Sequence, residues 1–536
     1  MRKAFLLFLL LACSAAAQPR RQQPPRLVVG IVVDQMRYDY LQRFDPLFGN
    51  NGFRRLLHDG FSFTHARFNF QPTVTAVGHA TIYTGAVPAV HGIPENNYYD
   101  RQAGKVVYVA EDPNVLPVGA DAPARSASPF RLRSSTITDE LKLSHPAAKV
   151  ISIGIKDRSA VLPAGHIADG AYYFDEHSGN WITSTWYADR LPDWLDEWNK
   201  SRRVHQYVSS PWNLLLPRPA YTMTTGDTSA FERPLRPNSW PVFPYTLGIG
   251  DWKMLTATPF GNTMTKDLAI EALRREQMGR DEVTDFLCIS FSSPDIIGHA
   301  FGIHSLEMAD CYARLDRDLA DLLQTLDREI GRKNVLVFLT SDHGAATNPL
   351  MAEELQLPGG RMQAELWLQA ANRYLEERLR APHLVDALIE QQLYLNDSAL
   401  AASGIAYEQA AAVAAEFLLQ QPGVLCTVAP RAGRSTCPPH TETFIRNGWV
   451  ADRSGDVIFA LQPGWIDWPY AQGTTHLTAH PYDQHMPLIW YGWNVRRGHT
   501  NEPVFLTDIA PTLSHLLQVP YPSGCQGKPL ALPLKH

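Results

Sequence analysis

The composition of this 536-residue chain is typical of a soluble globular protein, with 45% hydrophobic and 19% charged residues. Its formal net charge of -6 at pH 7 argues against a broad basic surface for nucleic acid. After the first residues, no apolar stretch reaches the length of a transmembrane helix, so the sequence predicts no stable membrane insertion.

The first residues are predicted to form a targeting segment. Residues 1–17 hold two basic residues, the apolar run AFLLFLLLA and then CSAAA, a pattern typical of a secretory signal peptide. We therefore expect a periplasmic or secreted protein, with lipoprotein processing at Cys13 as the weaker alternative. Removal of Arg2 and Lys3 would change the formal net charge from -6 to -8, since the segment contains no acidic residue. Residues 18–25 form a polar, proline-rich spacer.

Five short apolar runs indicate strands that are buried on both faces of a sheet. Polar residues follow four of them, as expected at the carboxyl edge of an open α/β sheet, where ligands bind. The sequence therefore predicts an α/β fold with a mostly parallel central sheet flanked by helices. The runs span residues 27–33, 150–155, 286–291, 335–340 and 486–492.

An apolar helix face connects two of these runs. Apolar residues recur at intervals of three and four from Met308 to Ile330, and Gly331 follows in C-cap position. This pattern predicts a crossover of strand, helix and strand. Two segments lack a comparable periodicity of apolar residues, and we interpret them as insertions that cap a single domain. The predicted divisions are one domain at 26–536 and insertions at about 160–258 and 365–455.

The cysteine content argues against a zinc–thiolate site. Five cysteines follow the predicted signal peptide, an odd number without a CxxC motif. Export permits disulfides, and Cys426 with Cys437 is the favoured local pair.

The stretch QPTVTAVGHATIYTG, residues 71–85, contains a candidate nucleophile, Thr75. It follows a proline and leads into a helix-compatible run, which would place Thr75 at a helix N-terminus, where free backbone N–H groups favour an anion. A threonine hydroxyl needs a base or a metal to ionise it. The alternative is a threonine-rich turn whose hydroxyls are purely structural.

Residues that ligate divalent metals follow three of the predicted strands. Asp34 follows the first run, and Asp342 with His343 follows a later one in TSDHG. Asp295 and His299, in SSPDIIGHAFG, have the D-x-x-x-H spacing that reaches one ion from a single helical turn. Asp34 or Asp342 alone would be explained as a helix N-cap after a strand, but five such residues at three strand ends favour a centre for zinc or a similar ion. A further histidine would come from His476, His480 or His485.

Taken in order, these motifs resemble the alkaline phosphatase superfamily, and specifically its type I phosphodiesterase and nucleotide pyrophosphatase-like branch. The likeness covers nearly all of the chain after the signal peptide. It is strongest to the broad-specificity bacterial alkaline phosphatases with a threonine nucleophile. The matching pieces are VVDQMRYDY, PTVTAVGHATIYTG followed by HGIPENNYYD, TPFGN, SSPDIIGHAFG, TSDHG, GTTH and TDIAPTLSHLL.

The resemblance implies two divalent metal ions held side by side, and zinc is the ion we expect. For the late histidine, His476 in GTTH resembles the ligand of the family, and His485 beside the last apolar run is the main rival. The implied ligand sets are Asp34, Asp342 and His343 for one ion and Asp295, His299 and the late histidine for the other.

The resemblance also implies the catalytic residues. Thr75 would be the nucleophile that forms a phosphothreonine, and Asn96 would donate to a phosphoryl oxygen, with Asn97 as the alternative. Lys156 and Arg158, two residues apart at the end of a predicted strand, resemble a pair that contacts phosphate in the phosphomonoesterases and that diesterases generally lack. The sequence therefore predicts an exported, metal-dependent alkaline phosphatase that acts on small phosphate esters as a monomer.

Other functions fit parts of the sequence. A phosphodiesterase or nucleotide pyrophosphatase is the main alternative, and an exported, non-catalytic metal- or phosphate-binding protein is a weaker one. A sulfatase would need a C-x-P-x-R motif, whereas CPPHT at residues 437–441 lacks the arginine. A cofactor-independent phosphoglycerate mutase is disfavoured by Thr75 and by the signal peptide. We assign structural roles to His79 and Thr73.

Overall fold

A computed structural model of the chain describes residues 23–120 and 124–535. The predicted signal peptide and most of the predicted spacer lie outside the described residues. Among the described helices, none is long and apolar enough to cross a membrane. The strands are β1 Leu27–Val33, β2 Phe61–Arg67, β3 Asn97–Asp100, β4 Lys105–Tyr108, β5 Pro117–Val118, β6 Val150–Gly154, β7 Gly170–Phe174, β8 Trp181–Ser184, β9 Asp285–Phe291, β10 Val335–Thr340, β11 Gly360–Met362, β12 Val385–Ile389, β13 Gln392–Leu395, β14 Val424–Ala429, β15 Arg434–Ser435, β16 Val457–Leu461, β17 Trp465–Asp467, β18 His485–Gly492 and β19 Gly498–Phe505.

Helices cover both faces of the main sheet and fill the connections. They are α1 Tyr40–Arg43, α2 Phe53–Asp59, α3 Thr75–Thr84, α4 Pro88–His91, α5 Ile137–Ser144, α6 Asp157–Ala164, α7 Asp193–Lys200, α8 Trp252–Thr256, α9 Pro259–Arg275, α10 Ser293–Phe301, α11 Leu306–Glu329, α12 Pro349–Glu354, α13 Ala364–Leu379, α14 Asp397–Ser403, α15 Tyr407–Leu419, α16 Pro439–Gly448, α17 Pro481–Gln484 and α18 Ile509–Leu517.

The central sheet has ten strands in the order β19-β2-β18-β10-β1-β9-β6-β7-β8-β5. Its middle, from β10 to β7, is parallel throughout. These strands are apolar and buried along their whole length because helices pack on both faces, which is why their sequences do not alternate. The predicted α/β fold with a mostly parallel sheet is confirmed.

One of the five apolar runs does not form a parallel strand. The run at 486–492 forms β18, which pairs antiparallel with both β10 and β2. A continuous apolar run indicates burial on both faces of a sheet and carries no information about direction. The other four apolar runs form parallel strands, and the fifth parallel strand is β7, GAYYF. Strand β7 lies within the segment 160–258 that we interpreted as an insertion. The start of that segment thus continues the central sheet through α6, β7 and β8 before the chain leaves it.

The predicted crossover between β9 and β10 is present. Helix α11 joins these two strands and buries an apolar face that includes Leu315, Leu319 and Leu322. Gly331, at φ 91°, donates its N–H to the Leu326 carbonyl at 3.0 Å and ends the helix.

Most of the segment at 365–455 builds a second, smaller sheet of five antiparallel strands, in the order β12-β13-β16-β14-β15. Helices α13 and α15 pack on it around a separate apolar core that includes Leu375, Leu393 and Phe459. The predicted disulfide between Cys426 and Cys437 is confirmed, and it links β14 to the segment preceding α16.

Candidate active site

The side chains singled out in the sequence lie at the carboxyl edge of the central sheet. Asp34 directly follows β1, and Asp342 and His343 follow β10. Asp295 and His299 lie in α10, which begins directly beyond β9. Because β10, β1 and β9 are adjacent and parallel, their carboxyl ends bring these five residues together.

The first cluster surrounds the imidazole of His343. The Nε2 atom of this residue lies 3.3 Å from Asp34 Oδ1 and 3.7 Å from Asp342 Oδ2. All three side chains are fully buried. Ligand atoms of Asp34, Asp295 and His343 all lie within 4.8 Å of one another, a spacing that suits one metal ion. The Asp295 carboxylate thus reaches the first cluster as well as the second, which the sequence did not indicate.

The second cluster consists of Asp295, His299 and His476. Their ligand atoms also lie within 4.8 Å of one another. Nε2 of His299 is 3.1 Å from Asp295 Oδ1, and Nε2 of His476 is 3.7 Å from the same oxygen. The imidazole of His476 stacks on that of His343 with ring centroids 3.6 Å apart, so the two clusters are contiguous.

Main-chain carbonyl groups orient the three histidines. Each Nδ1–H group donates to a carbonyl oxygen, which leaves the Nε2 lone pair of the neutral ring free to bind a metal. All three rings therefore turn Nε2 towards the carboxylates. The Nδ1–O distances are 2.6 Å for His476 to Thr73, 2.8 Å for His299 to Thr474 and 3.0 Å for His343 to Gly344.

The structure separates the candidates for the late histidine. His476 lies in the second cluster. His485 begins strand β18, where its Nε2 atom lies 2.7 Å from the Thr64 carbonyl and its ring stacks on Tyr38. Neither His480 nor His485 belongs to a group of described residues spaced to hold a metal ion.

We expect His476→Ala to remove one of the two predicted metal ions, because it deletes a nitrogen donor of the second cluster. His485→Ala is the matched control, and we expect it to keep both ions. Elemental analysis of the purified variants measures the difference. Loss of metal from the His485 variant, with full retention in the His476 variant, would reverse the assignment.

Thr75 is the first residue of α3 and is buried. Its Oγ1 atom lies 3.2 Å from Lys156 Nζ and 3.4 Å from His343 Nε2. A Cβ atom at Gly78 would collide with the main chain of Asp342, so glycine permits α3 to pack directly against the first cluster. The prediction that Thr75 begins a helix is confirmed, and its hydroxyl faces the first cluster.

Asn96 lies beside the start of α3. Its Oδ1 atom accepts a hydrogen bond from the Ala76 N–H at 3.0 Å, which leaves the Nδ2 group as the available donor. Asn96 and His476 line the same cavity of ≈ 320 Å³. Asn97, the alternative in the sequence, belongs to β3 and pairs with Tyr108 of β4.

Lys156 lies between the two clusters. Its Nζ atom is 2.6 Å from Asp34 Oδ2 and 2.5 Å from Asp295 Oδ2. Strand β6 ends two residues earlier, so Lys156 stands in the turn and Arg158 in the first turn of α6. The prediction that both residues stand at the end of a strand is wrong. The acidic residue between them, Asp157, favours the start of a helix here because its charge complements the helix dipole.

Arg158 forms a hydrogen bond with a tyrosine that was not predicted from the sequence to belong to the site. Its Nη1 atom donates to the Tyr108 hydroxyl at 3.1 Å, and that hydroxyl also bonds to Asp157. The Nε atom of Arg158 is buried without a hydrogen-bond partner among the described residues. Arg158 and Lys156 line a cavity of ≈ 470 Å³ that opens beside the clusters.

The clusters carry a strong negative field. Burial disfavours the charged imidazolium of His343, but Asp342 and Asp34 outweigh it and raise the pKa to about 9. For Asp34, burial and the charge of Asp342 raise the pKa above its ordinary value. For Lys156, burial acts to lower the pKa, but Asp295 and Asp34 dominate and raise it. These shifts indicate a surplus of carboxylate charge that attracts cations.

The donor set fits divalent metal ions. Asp34 Oδ1 and Asp342 Oδ2 are buried and accept no hydrogen bond from the described residues. Buried carboxylates of this kind are paired or coordinate metals. Carboxylate oxygens with neutral imidazole nitrogens form the donor combination that zinc and similar ions prefer.

Three further residues contact the clusters, although the sequence did not predict a role for them at the site. Gln35, at φ 63°, donates from Nε2 to Asp295 Oδ1 at 2.6 Å. The Nδ1 atom of His79, which we predicted to be structural, lies 3.3 Å from Asp342 Oδ2. Trp468 stacks on His299 with ring centroids 4.9 Å apart. Only Gln35, directly after Asp34 in VVDQM, carried a signal in the sequence, since its neighbour is a ligand candidate.

Comparison with known proteins agrees with this geometry. A sequence model of the type I phosphodiesterase / nucleotide pyrophosphatase family matches residues 28–483. Alkaline phosphatase PafA of Elizabethkingia meningoseptica is 39% identical over 513 residues, which are 94% of each chain. Alkaline phosphatase PhoV of Synechococcus elongatus is 40% identical over 510 residues, 94% of this chain and 92% of the relative. The crystal structure of wild-type PafA matches with a TM-score of 0.92 at 38% identity, over 96% of this chain and 100% of that one.

The fold and the clusters at its edge place the chain in the alkaline phosphatase superfamily. The match over residues 28–483 is more specific. The chain belongs to the type I phosphodiesterase / nucleotide pyrophosphatase family. The resemblance inferred from the sequence motifs is thereby confirmed.

Proposed function

We propose that the protein is an alkaline phosphatase that hydrolyses phosphate monoesters with Thr75 as its nucleophile. The observation that carries this proposal is the position of Lys156. Its Nζ atom lies 3.2 Å from Thr75 Oγ1 and 2.6 Å or less from a carboxylate oxygen of each cluster. At this position the ammonium group would contact any phosphate group that approaches the Thr75 hydroxyl. The relatives PafA and PhoV, which align with nearly the whole chain, are alkaline phosphatases.

The two clusters are proposed to hold zinc ions. Asp34, Asp342 and His343 would hold one ion, and Asp295, His299 and His476 the other. Bound zinc would supply the positive charge that lowers the pKa of the Thr75 hydroxyl and stabilises the oxygen of the leaving group. Three carboxylates and three neutral imidazoles against two divalent ions leave a net charge of about +1, which suits a phosphate anion.

The protein side chains then perform two displacements at phosphorus. Thr75 Oγ1 loses its proton and forms a bond to phosphorus as the ester P–O bond breaks, and the leaving oxygen takes up a proton to depart as the alcohol. A water oxygen next attacks the phosphothreonine, the bond from Thr75 to phosphorus breaks, and the hydroxyl regains a proton as phosphate departs. Asn96, fixed by its bond to the Ala76 N–H, would donate from Nδ2 to a non-bridging phosphoryl oxygen in both steps.

Lys156 and Arg158 give a physical reason for monoester preference. A monoester dianion presents three non-bridging oxygens, whereas a diester carries an alkyl or aryl group on one of them. The planar guanidinium of Arg158 binds two oxygens as a fork, and the ammonium of Lys156 acts as a point charge. A second ester group placed against these two cations would replace one of the phosphate oxygens that they bind.

We also propose that the protein is exported to the periplasm or beyond the cell. The N-terminal pattern of basic residues, apolar run and small residues supports this location. The disulfide between Cys426 and Cys437 supports it independently, because disulfides persist in oxidising compartments.

The proposed function is tested by comparing kcat/KM for p-nitrophenyl phosphate and bis-p-nitrophenyl phosphate with the zinc-loaded protein. We expect the monoester to be preferred, with activity lost on chelation and restored by zinc. A preference for the diester would favour the phosphodiesterase. Absence of hydrolysis with both sites filled would favour a binding protein.

A further inference from the structure

A second group of buried carboxyl side chains lies apart from the proposed active site. It occurs where residues 221–245, here called the cap segment, meet the start of helix α11. Glu232 of the cap segment is 4% exposed, and Glu307, the second residue of α11, is fully buried. Carboxyl groups are seldom buried so completely unless a partner compensates their charge.

The hydrogen bonds of this pair are incomplete. Glu307 Oε1 accepts from the Tyr245 hydroxyl at 2.5 Å, and Glu232 Oε1 accepts from the Thr225 hydroxyl at 3.1 Å. The Oε2 atoms of Glu232 and Glu307 are buried and accept no hydrogen bond from the described residues. Two carboxyl oxygens are thus left with unused acceptor capacity in the interior.

The pair also lacks a counter-charge. No lysine, arginine or histidine within residues 23–120 and 124–535 forms an ion pair with Glu232 or Glu307. Asp310, one turn further along α11, shows the usual arrangement. It accepts from the Trp212 indole N–H at 2.7 Å and from Arg314 Nε at 2.7 Å. The contrast within one helix indicates that an external cation or proton completes the Glu232 and Glu307 pair.

Electrostatics agrees with a missing positive charge. Burial, aided by the negative charge of Glu307, raises the pKa of Glu232 to about 9. Burial also raises the pKa of Glu307 to about 8, with Asp227 and Asp310 adding to the effect. A bound divalent ion would reverse both shifts, because it favours the ionised carboxylates.

We propose that Glu232 and Glu307 bind a hard divalent cation, Ca²⁺, which fastens the cap segment to the N-terminus of α11. Two carboxylates balance the charge of one such ion. Ca²⁺ takes roughly six to eight oxygen ligands, including carboxylates, carbonyls and water. The hydroxyls of Thr225 and Tyr245 fix one oxygen of each carboxylate and leave Oε2 for the ion. The absence of histidine from this set distinguishes it from the zinc clusters.

The cap segment contacts both elements that carry the second cluster. The Arg233 N–H donates to the Ala300 carbonyl at 2.9 Å, directly after His299. The Phe231 carbonyl accepts from the Gly473 N–H at 2.7 Å, shortly before His476. A cation between Glu232 and Glu307 would therefore stabilise the path of the chain around two of the imidazoles.

Terbium luminescence tests this proposal with the full-length, zinc-loaded protein. Tb³⁺ replaces Ca²⁺ at oxygen sites and emits when a nearby aromatic ring transfers energy to it. Trp212, whose ring centroid is 5.1 Å from that of Tyr245, is the donor. We expect saturable emission that Ca²⁺ displaces, together with a rise in Tm of about 2 °C or more when Ca²⁺ is added. Zinc content is measured before and after titration so that exchange at the active site is detected.

Glu307→Gln and Glu232→Gln should abolish both the emission and the Tm response, while Glu354→Gln, at an exposed position of α12, should keep both. The wild-type titration decides the matter even if a buried variant does not fold. No saturable emission and no Tm response in the wild-type protein would show that the two carboxyl groups are protonated and bind no ion. Responses that survive in a folded Glu307→Gln variant would place the cation elsewhere.

Discussion

Replacement of Thr75 by alanine should reduce kcat/KM for p-nitrophenyl phosphate by at least about 10³-fold, because it removes the atom that attacks phosphorus. The metal content should be unchanged, since Thr75 is outside both ligand sets. Under conditions that trap the wild-type protein as a covalent phosphoenzyme, the Thr75→Ala variant should form none. Rapid acid quenching with labelled phosphate, followed by mass spectrometry of the peptide, measures that intermediate.

Thr73→Ala is the matched control for this experiment. Thr73 is also buried, two residues earlier, but its hydroxyl donates to the Thr478 carbonyl at 3.0 Å and does not face the clusters. Its contact with His476 uses the main-chain carbonyl, which the substitution retains. We expect Thr73→Ala to keep most of its activity. If Thr75→Ala hydrolysed the monoester at the wild-type rate, the nucleophile would have to be another group.

Replacement of both Lys156 and Arg158 by alanine should remove the preference for monoesters. Each charge-assisted contact is worth about 1.5–3 kcal/mol, so the pair is worth about 3–6 kcal/mol, or roughly 10²–10⁴-fold in kcat/KM for the monoester. Hydrolysis of the diester should change much less, because the diester lacks the free oxygen that these cations bind. The ratio of the two kcat/KM values is the measured quantity.

The diester rate also separates substrate recognition from damage to the metal centre. Lys156 contacts Asp34 and Asp295, and any loss of metal on its removal would reduce both rates equally. Lys200→Ala with Arg190→Ala, at exposed positions, is the matched double control for the loss of two positive charges. An unchanged ratio in the Lys156 and Arg158 variant would refute their role in selecting monoesters.

The parallel strands were predictable because burial on both faces leaves an unbroken apolar run. In strand β2, FSFTHAR, only Phe63 and Ala66 are buried and several side chains are polar, so no such run marks it. The direction of β18 was not predictable either, since apolar character reports burial alone. Strand β7 was not predicted because it follows a helix in a segment rich in tryptophan and proline, where apolar residues show no clear periodicity.

The candidate site was largely predictable because its residues immediately follow strands or stand in short motifs. The partners were not, since they come from elements distant in the chain. Tyr108 reaches Arg158 from β4, and Trp468 reaches His299 from the loop after β17. The turn placement of Lys156 depended on where β6 ends, which a run of apolar residues defines only to within a residue or two.

The carbonyl oxygens that orient the three histidines have a consequence for how this centre withstands mutation. A side-chain acceptor can be lost by a single substitution, whereas a main-chain oxygen is present whatever residue occupies the position. Substitutions at Thr73 or Thr474 that preserve the backbone path therefore leave the tautomers of His476 and His299 unchanged. The orientation of the proposed metal ligands is therefore buffered against sequence drift at these positions.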